Sequence, residues 1–100
     1  MLRINLTTSS LIAGFECVNS GCRRRYRKIL QKRFLYVDWK QQLDILETFS
    51  RSPAKVDKKW VKNILNSKYK NSFNIIKILY DPIRAENIKK NITINPEISS

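Results

Sequence analysis

Histidine is absent from this 100-residue sequence, and glycine, proline and cysteine are all scarce. Without histidine there is no imidazole for acid–base chemistry or for a zinc site. Two glycines and three prolines are too few for the many turns of a sheet-rich fold, which favours an all-α protein. No apolar run approaches the roughly 18 residues of a transmembrane helix.

Residues that could carry out chemistry are few. Cys17 and Cys22 could form a disulfide across a turn, or share a metal with another chain, but two cysteines make a poor framework for either and we expect reduced thiols. Asp44 and Glu47 lie one helical turn apart, yet no nucleophile–base arrangement and no phosphate-binding loop accompanies them. We therefore predict no enzymatic activity, no cofactor, no metal and no small-molecule substrate.

Positive charge is what the chain has in excess, with 20 lysines and arginines against 8 acidic residues and a formal net charge of +12. An excess of positive charge this large makes the side chains repel one another unless an anionic partner lies against them. A nucleic-acid backbone is the best candidate, because each neutralised phosphate releases counterions. Five of the eight arginines fall between Arg23 and Arg33, where no acidic residue interrupts them.

The periodicity of apolar residues predicts three to five short helices, in a small bundle or an extended helical arrangement, with extended termini. The first clear helix is predicted at about residues 22–36, with an apolar stripe of Cys22, Tyr26, Ile29, Leu30 and Phe34. Further helices are predicted after Asp38 and at residues 57–65, 69–80 and 83–90, with a strand as the alternative at 69–80 because its isoleucines also favour strand. Their predicted N-caps are Asp38, paired with Gln41 in a capping box, Asp57 and Asp81.

These helices define a predicted division of the chain into residues 1–20 as an N-terminal arm, 21–90 as a helical domain and 91–100 as an extended tail. Six apolar side chains are expected to hold the helices together: Trp39, Leu43, Leu46, Trp60, Ile64 and Phe73.

The N-terminal segment has a composition of its own. Residues 1–15 are rich in hydroxyl and aliphatic side chains, with one arginine and no acidic residue. This composition is typical of a mitochondrial targeting segment, and an ordinary N-terminal arm is the alternative. We predict that the segment is retained and that the protein lies in the mitochondrial matrix, with the cytoplasm as the alternative location.

Two groups of cations are the candidate binding residues. Arginine binds phosphate through a two-pronged fork, so the predicted first helix is expected to contact an RNA backbone through Arg23, Arg24, Arg25, Arg27, Lys28, Lys32 and Arg33. A second group shares one face of a later helix: Lys55, Lys59 and Lys62. Tyr36, beside a predicted turn, is the candidate for stacking on an unpaired base. A solubilising or import-type charge run, or a surface for anionic lipid, is the alternative for the first group.

The run Tyr26-Arg27-Lys28-Ile29-Leu30, followed by Phe34, Phe49 and Val56-Asp57, resembles the LYR-motif proteins over roughly residues 25–65. Those are small, basic, three-helix mitochondrial proteins that join respiratory complexes, iron–sulfur assembly or mitochondrial ribosomes, often with acyl carrier protein. The resemblance implies that the helix around Tyr26 binds an acylated carrier protein. The sequence departs from the motif at Arg25, which stands where the family has leucine, and the spacing to the downstream phenylalanine is shorter.

The sequence thus predicts a structural, RNA-binding subunit of a mitochondrial ribosome, with rRNA and neighbouring proteins of a large assembly as its partners. Contacts to phosphates would position the protein without reading base sequence. The alternative is a non-catalytic accessory or assembly subunit of a mitochondrial respiratory complex, LYR-like and bound to acyl carrier protein. A DNA-binding regulator would need a recognition helix, of which the sequence has no signature, and membrane association is not expected.

Overall fold

The computed structural model describes residues 6–17, 20–67 and 81–93, and within these ranges it contains five α-helices and no β-strand. The helices are α1 (Thr8–Cys17), α2 (Ser20–Arg33), α3 (Trp39–Arg51), α4 (Lys55–Leu65) and α5 (Pro82–Thr93). The predicted all-α class with three to five short helices is confirmed. None of the described helices is both long and apolar enough to cross a membrane. The helix predicted at residues 69–80, together with Phe73, lies outside the described residues.

The contacts of the backbone divide the chain into two units, Met1–Ile45 and Leu46–Ser100. Helix α3 runs across the boundary, so its first half belongs to the first unit and its second half to the second. Helix α1, which was not predicted from the sequence, lies within the segment expected to be an N-terminal arm and packs on α2.

The core of the first unit consists of apolar side chains from all three of its helices and from the turn after α2. Each of six side chains is at most 2% exposed: Leu11, Phe15, Leu30, Phe34, Leu43 and Ile45. Leu30 and Phe34 were predicted on the apolar stripe of α2, whereas Ile29 of the same stripe is 40% exposed. The stripe is therefore narrower than predicted, and Tyr26 lies half-buried at its side.

The start of α3 is capped as predicted. The Asp38 carboxylate accepts a hydrogen bond from the backbone N–H of Gln41, with 3.0 Å between Oδ1 and N, which satisfies one of the free donors of the first turn. The second half of the predicted capping box is wrong, because the side-chain oxygen of Gln41 accepts a hydrogen bond from the Thr8 hydroxyl. Gln41 thereby joins α3 to the first residue of α1.

The second unit buries Leu46, Phe49, Val61, Ala85 and Ile88, each at most 3% exposed. The rings of Phe49 and Trp60 pack at an angle of 56° with their centroids 4.9 Å apart. Of the six residues predicted to form the core, Leu43 and Leu46 are buried. Trp39, Trp60 and Ile64 are half-buried.

The predicted cap of α4 is wrong and that of α5 is confirmed. Helix α4 begins at Lys55 after Ala54, and Asp57 is its third residue, fully buried, where it accepts a hydrogen bond from the Ser52 hydroxyl at 2.5 Å. The Ser52 hydroxyl therefore occupies the Asp57 carboxylate that was expected to cap the helix. The Ser52 oxygen also accepts the backbone N–H of Ala54 at 3.2 Å.

In α5, Asp81 accepts the backbone N–H of Arg84 at 3.1 Å, as predicted for the cap, and the helix continues to Thr93, three residues beyond its predicted end.

Candidate nucleic-acid interface

One face of α2 carries a compact row of exposed cations. Arg24, Lys28 and Lys32 follow one another at intervals of four residues, Arg25 lies beside them three residues before Lys28, and all four are exposed. Because residues three and four apart share a helix face, these side chains form one strip about 12 Å long. We call these four residues the basic ridge.

The basic ridge has no protein partner within the part of the chain that the structure describes. Its four side chains make no hydrogen bond and no ion pair there, whereas Glu47 of the second unit pairs with Arg51 and Arg84. Four like charges on neighbouring helical turns repel one another. An anion placed along the ridge would relieve that repulsion and gain charge-assisted hydrogen bonds.

Arg23 precedes the basic ridge in sequence but has a different role. Its Nε–H donates to the backbone carbonyl of Phe15, 3.3 Å away, and its guanidinium lies 5.5 Å from the centroid of the Phe15 ring. That carbonyl belongs to the last turn of α1, where backbone acceptors lack helical partners and a positive charge is favourable. Arg23 therefore stabilises the C-terminal end of α1.

Arg33 holds the other end of α1. Its Nε–H donates to the Thr8 hydroxyl oxygen at 2.8 Å, and the Thr8 hydroxyl in turn donates to Gln41. Thr8 is the first residue of α1 and is 4% exposed, so the hydroxyl shared by these two hydrogen bonds is buried, while Arg33 and Gln41 are half-buried. Arg27 is half-buried and also has a partner. Among the seven cations predicted on this helix, the four of the basic ridge are the ones most open to a ligand.

The packing of α1 explains which face of α2 stays open. A Cβ atom on Gly14 would lie 2.6 Å from Cζ of Tyr26, so the tyrosine ring occupies space that only a glycine leaves free. Tyr26 and Leu30 lie on the side of α2 away from the basic ridge, as their spacing from Lys28 requires. Helix α1 thus covers one side of α2 and leaves the ridge to solvent.

The second predicted group lies on α4. Lys55, Lys59 and Lys62 are exposed and fall on one face at intervals of four and three residues, without a hydrogen bond or ion pair to any described residue. Lys58, by contrast, is half-buried and donates from Nζ to the carbonyl of Ser50 at 2.5 Å and to that of Asn91 at 3.4 Å. The three exposed lysines form a second basic surface, on the second unit.

Other side chains singled out in the sequence have simpler surroundings. Tyr36, the predicted stacking residue, is 82% exposed in the turn after α2. Glu47 forms ion pairs with Arg84 at 2.7 Å and Arg51 at 3.4 Å, so it balances arginines of its own unit.

Cys17 is a free, exposed thiol, and the side chain of Cys22 lies outside the described part of the structure. The described residues contain no cluster of three or more metal-ligating side chains.

No protein-family model, curated protein or solved structure matches this chain significantly. The resemblance to LYR-motif proteins therefore depends only on the sequence pattern between about residues 25 and 65.

Proposed function

We propose that this protein is a structural, RNA-binding subunit of a mitochondrial ribosome and that its basic ridge lies on rRNA phosphates. The observation that carries the proposal is the placement of Arg24, Arg25, Lys28 and Lys32 on one exposed helix face without a described protein partner. Two of these are arginines, whose planar guanidinium matches the geometry of a phosphate. Contacts of this kind fix the position of a protein on RNA without specifying its sequence.

The lysine face of α4 supports the same function. Lys55, Lys59 and Lys62 present ammonium groups, which bind phosphate as point charges without the fork of arginine. They add counterion release and general attraction to RNA rather than a defined geometry. We assign them a secondary role in holding the second unit on the particle.

The mitochondrial part of the proposal rests on residues 1–15, whose composition is typical of targeting segments. In the structure, Leu11 and Phe15 of this region are each 2% exposed and belong to the core of the first unit. Removal of the segment would expose apolar surface on α2. This burial supports the expectation that the segment is retained in the folded protein.

The test compares two variants that each lose three positive charges. In the ridge variant, Arg24, Arg25 and Lys28 are replaced by glutamine; in the control variant, Lys40, Lys89 and Lys90, which are also exposed, are replaced by glutamine. Each tagged protein is expressed in the source cells, and the mitochondrial lysate is sedimented through a sucrose gradient with and without ribonuclease. Circular dichroism checks that the helix content of both variants equals that of the wild type.

We expect the wild type and the control variant to sediment with a ribosomal particle and to be released by ribonuclease. The ridge variant should remain near the top of the gradient. Sedimentation of the ridge variant with the particle would contradict the proposal. Wild-type protein in a large complex that ribonuclease leaves intact would favour the accessory subunit of a respiratory complex instead.

A further inference from the structure

We propose that the basic ridge and Tyr36 together recognise unpaired RNA, with phosphates on the ridge and a base stacked on the Tyr36 ring. The inference rests on the proposed function and deepens it, because it names single-stranded or looped nucleotides as the class of RNA bound. A uniform duplex offers phosphates to the ridge, but its bases are already stacked on one another. Only an unpaired base can offer its face to an aromatic side chain.

The first support is that Tyr36 continues the helix that carries the ridge. The backbone N–H of Leu35 donates to the carbonyl of Lys32 at 3.2 Å, and that of Tyr36 donates to the carbonyl of Arg33 at 2.9 Å. These bonds between residues three apart form a tight last turn directly after α2. Tyr36 therefore follows Lys32, the last cation of the ridge, by one turn of backbone.

The second support is that this turn is held in place from the protein side. Phe34 is 1% exposed, and its carbonyl accepts a hydrogen bond from Nε2 of Gln42 at 2.9 Å. Its backbone N–H also donates to the carbonyl of Leu30 at 2.9 Å. A fixed backbone lowers the entropy that would be lost when Tyr36 binds a ligand.

The third support is the exposure of the ring itself. Tyr36 is 82% exposed, whereas the phenylalanines at 15, 34 and 49 are at most 2% exposed. An aromatic ring in water on an anchored turn contributes little to the core of its own unit. Base–aromatic stacking uses such a ring and tolerates any base.

One acidic residue, Asp38, lies close to Tyr36 in sequence and would oppose phosphate binding there. Asp38 follows Tyr36 by two residues, and its charge would repel a phosphate. Its Oδ1, however, accepts the backbone N–H of Gln41 at 3.0 Å, so the carboxylate is engaged at the positive end of α3. The ridge sets four exposed cations against this single carboxylate.

The test measures binding of the full chain to two RNA probes at one salt concentration, a 12-nucleotide polyuridylate strand and a 12-base-pair duplex. Tyr36→Leu should weaken binding to the single strand about fivefold or more and leave the duplex affinity within about twofold. Tyr36→Phe keeps the ring and should bind both probes like the wild type. Leu35→Ala, which changes the neighbouring side chain, 54% exposed, is the matched control and should change neither affinity.

The ridge variant separates this inference from the proposed function, since it should weaken binding to both probes. Unchanged single-strand binding by Tyr36→Leu, with a weakened ridge variant, would overturn the stacking role and leave the proposed function standing. An equal loss on both probes, or a Tyr36→Phe variant as weak as Tyr36→Leu, would also overturn it. A ridge variant that binds both probes like the wild type would instead overturn the proposed function.

Discussion

At the scale of single residues, Gly14 leaves room for the ring of Tyr26 where α1 packs on α2. An added methyl group at position 14 would lie 2.6 Å from the ring, which is too close for unbonded carbon atoms, so the ring would have to move. Displacing a packed ring costs about 1–3 kcal/mol, whereas alanine in place of glycine favours the helix by about 1 kcal/mol. We expect Gly14→Ala to lower the free energy of unfolding by about 1 kcal/mol in urea denaturation.

A second background gives this prediction its control. When Tyr26 is replaced by alanine, the ring is gone and only the helix preference remains, so Gly14→Ala should then stabilise the protein by up to about 1 kcal/mol. The sign of the effect therefore reverses between the two backgrounds. The same loss of stability in both would show that the close approach to Tyr26 does not matter.

At the scale of helices, Arg23 and Arg24 have the same side chain but opposite roles. Arg23 holds the end of α1 through the Phe15 carbonyl and ring, while Arg24 points into solvent on the basic ridge. We expect Arg23→Gln to lower the free energy of unfolding by about 1–2 kcal/mol, since a charge-assisted hydrogen bond and a cation–π contact are lost. Arg24→Gln should change stability by less than about 0.5 kcal/mol.

The two variants should rank in the reverse order when RNA binding is measured. Arg24→Gln removes a ridge cation and should weaken binding, whereas Arg23→Gln should affect binding much less under conditions in which it is folded. Both lose one positive charge, so a general effect of net charge cannot separate them. Equal losses of RNA affinity would show that net charge, rather than the placement of the cations, governs binding.

The starts of two helices could be predicted because their signals are local. Asp38 and Asp81 each accept a backbone N–H three residues ahead, and Pro82 is the first residue of α5. Asp57 has the same local pattern but is fully buried and bound to Ser52. Its role depends on the path of residues 52–54 into α4, which the residue types around Asp57 do not specify by themselves.

Helix α1 and the open face of α2 could not be predicted, for a related reason. The hydroxyl-rich start of α1 favours caps and turns over helix interiors, and the helix is stabilised by the packing of Leu11 and Phe15 in the first unit. The cations around α2 were identified from sequence, but without α1 nothing showed which of them would be covered. The basic ridge could be identified only after the structure showed that α1 packs on the opposite face of α2.

At the scale of the whole molecule, the eight acidic side chains cannot balance the 20 lysines and arginines, which leaves a net charge of +12. Glu47 is shared between Arg51 and Arg84, and the ridge and the lysine face of α4 have no ionic partner among the described residues. Salt screens this repulsion, and a bound polyanion neutralises it. The same charges therefore oppose the isolated fold and would favour a fold bound to a polyanion.

Salt and pH dependence of RNA binding test whether this charge acts through direct phosphate contacts. For single-stranded RNA, the logarithm of the affinity falls against the logarithm of salt concentration with a slope of about −0.7 per neutralised phosphate. The ridge variant, which lacks three of the four cations, should therefore have a slope smaller in magnitude by about two, while the Lys40, Lys89 and Lys90 control keeps the wild-type slope. Because the chain contains no histidine, wild-type affinity should change little between pH 6 and pH 8. Equal slopes for the two variants would mean that the ridge attracts RNA from a distance without contacting its phosphates.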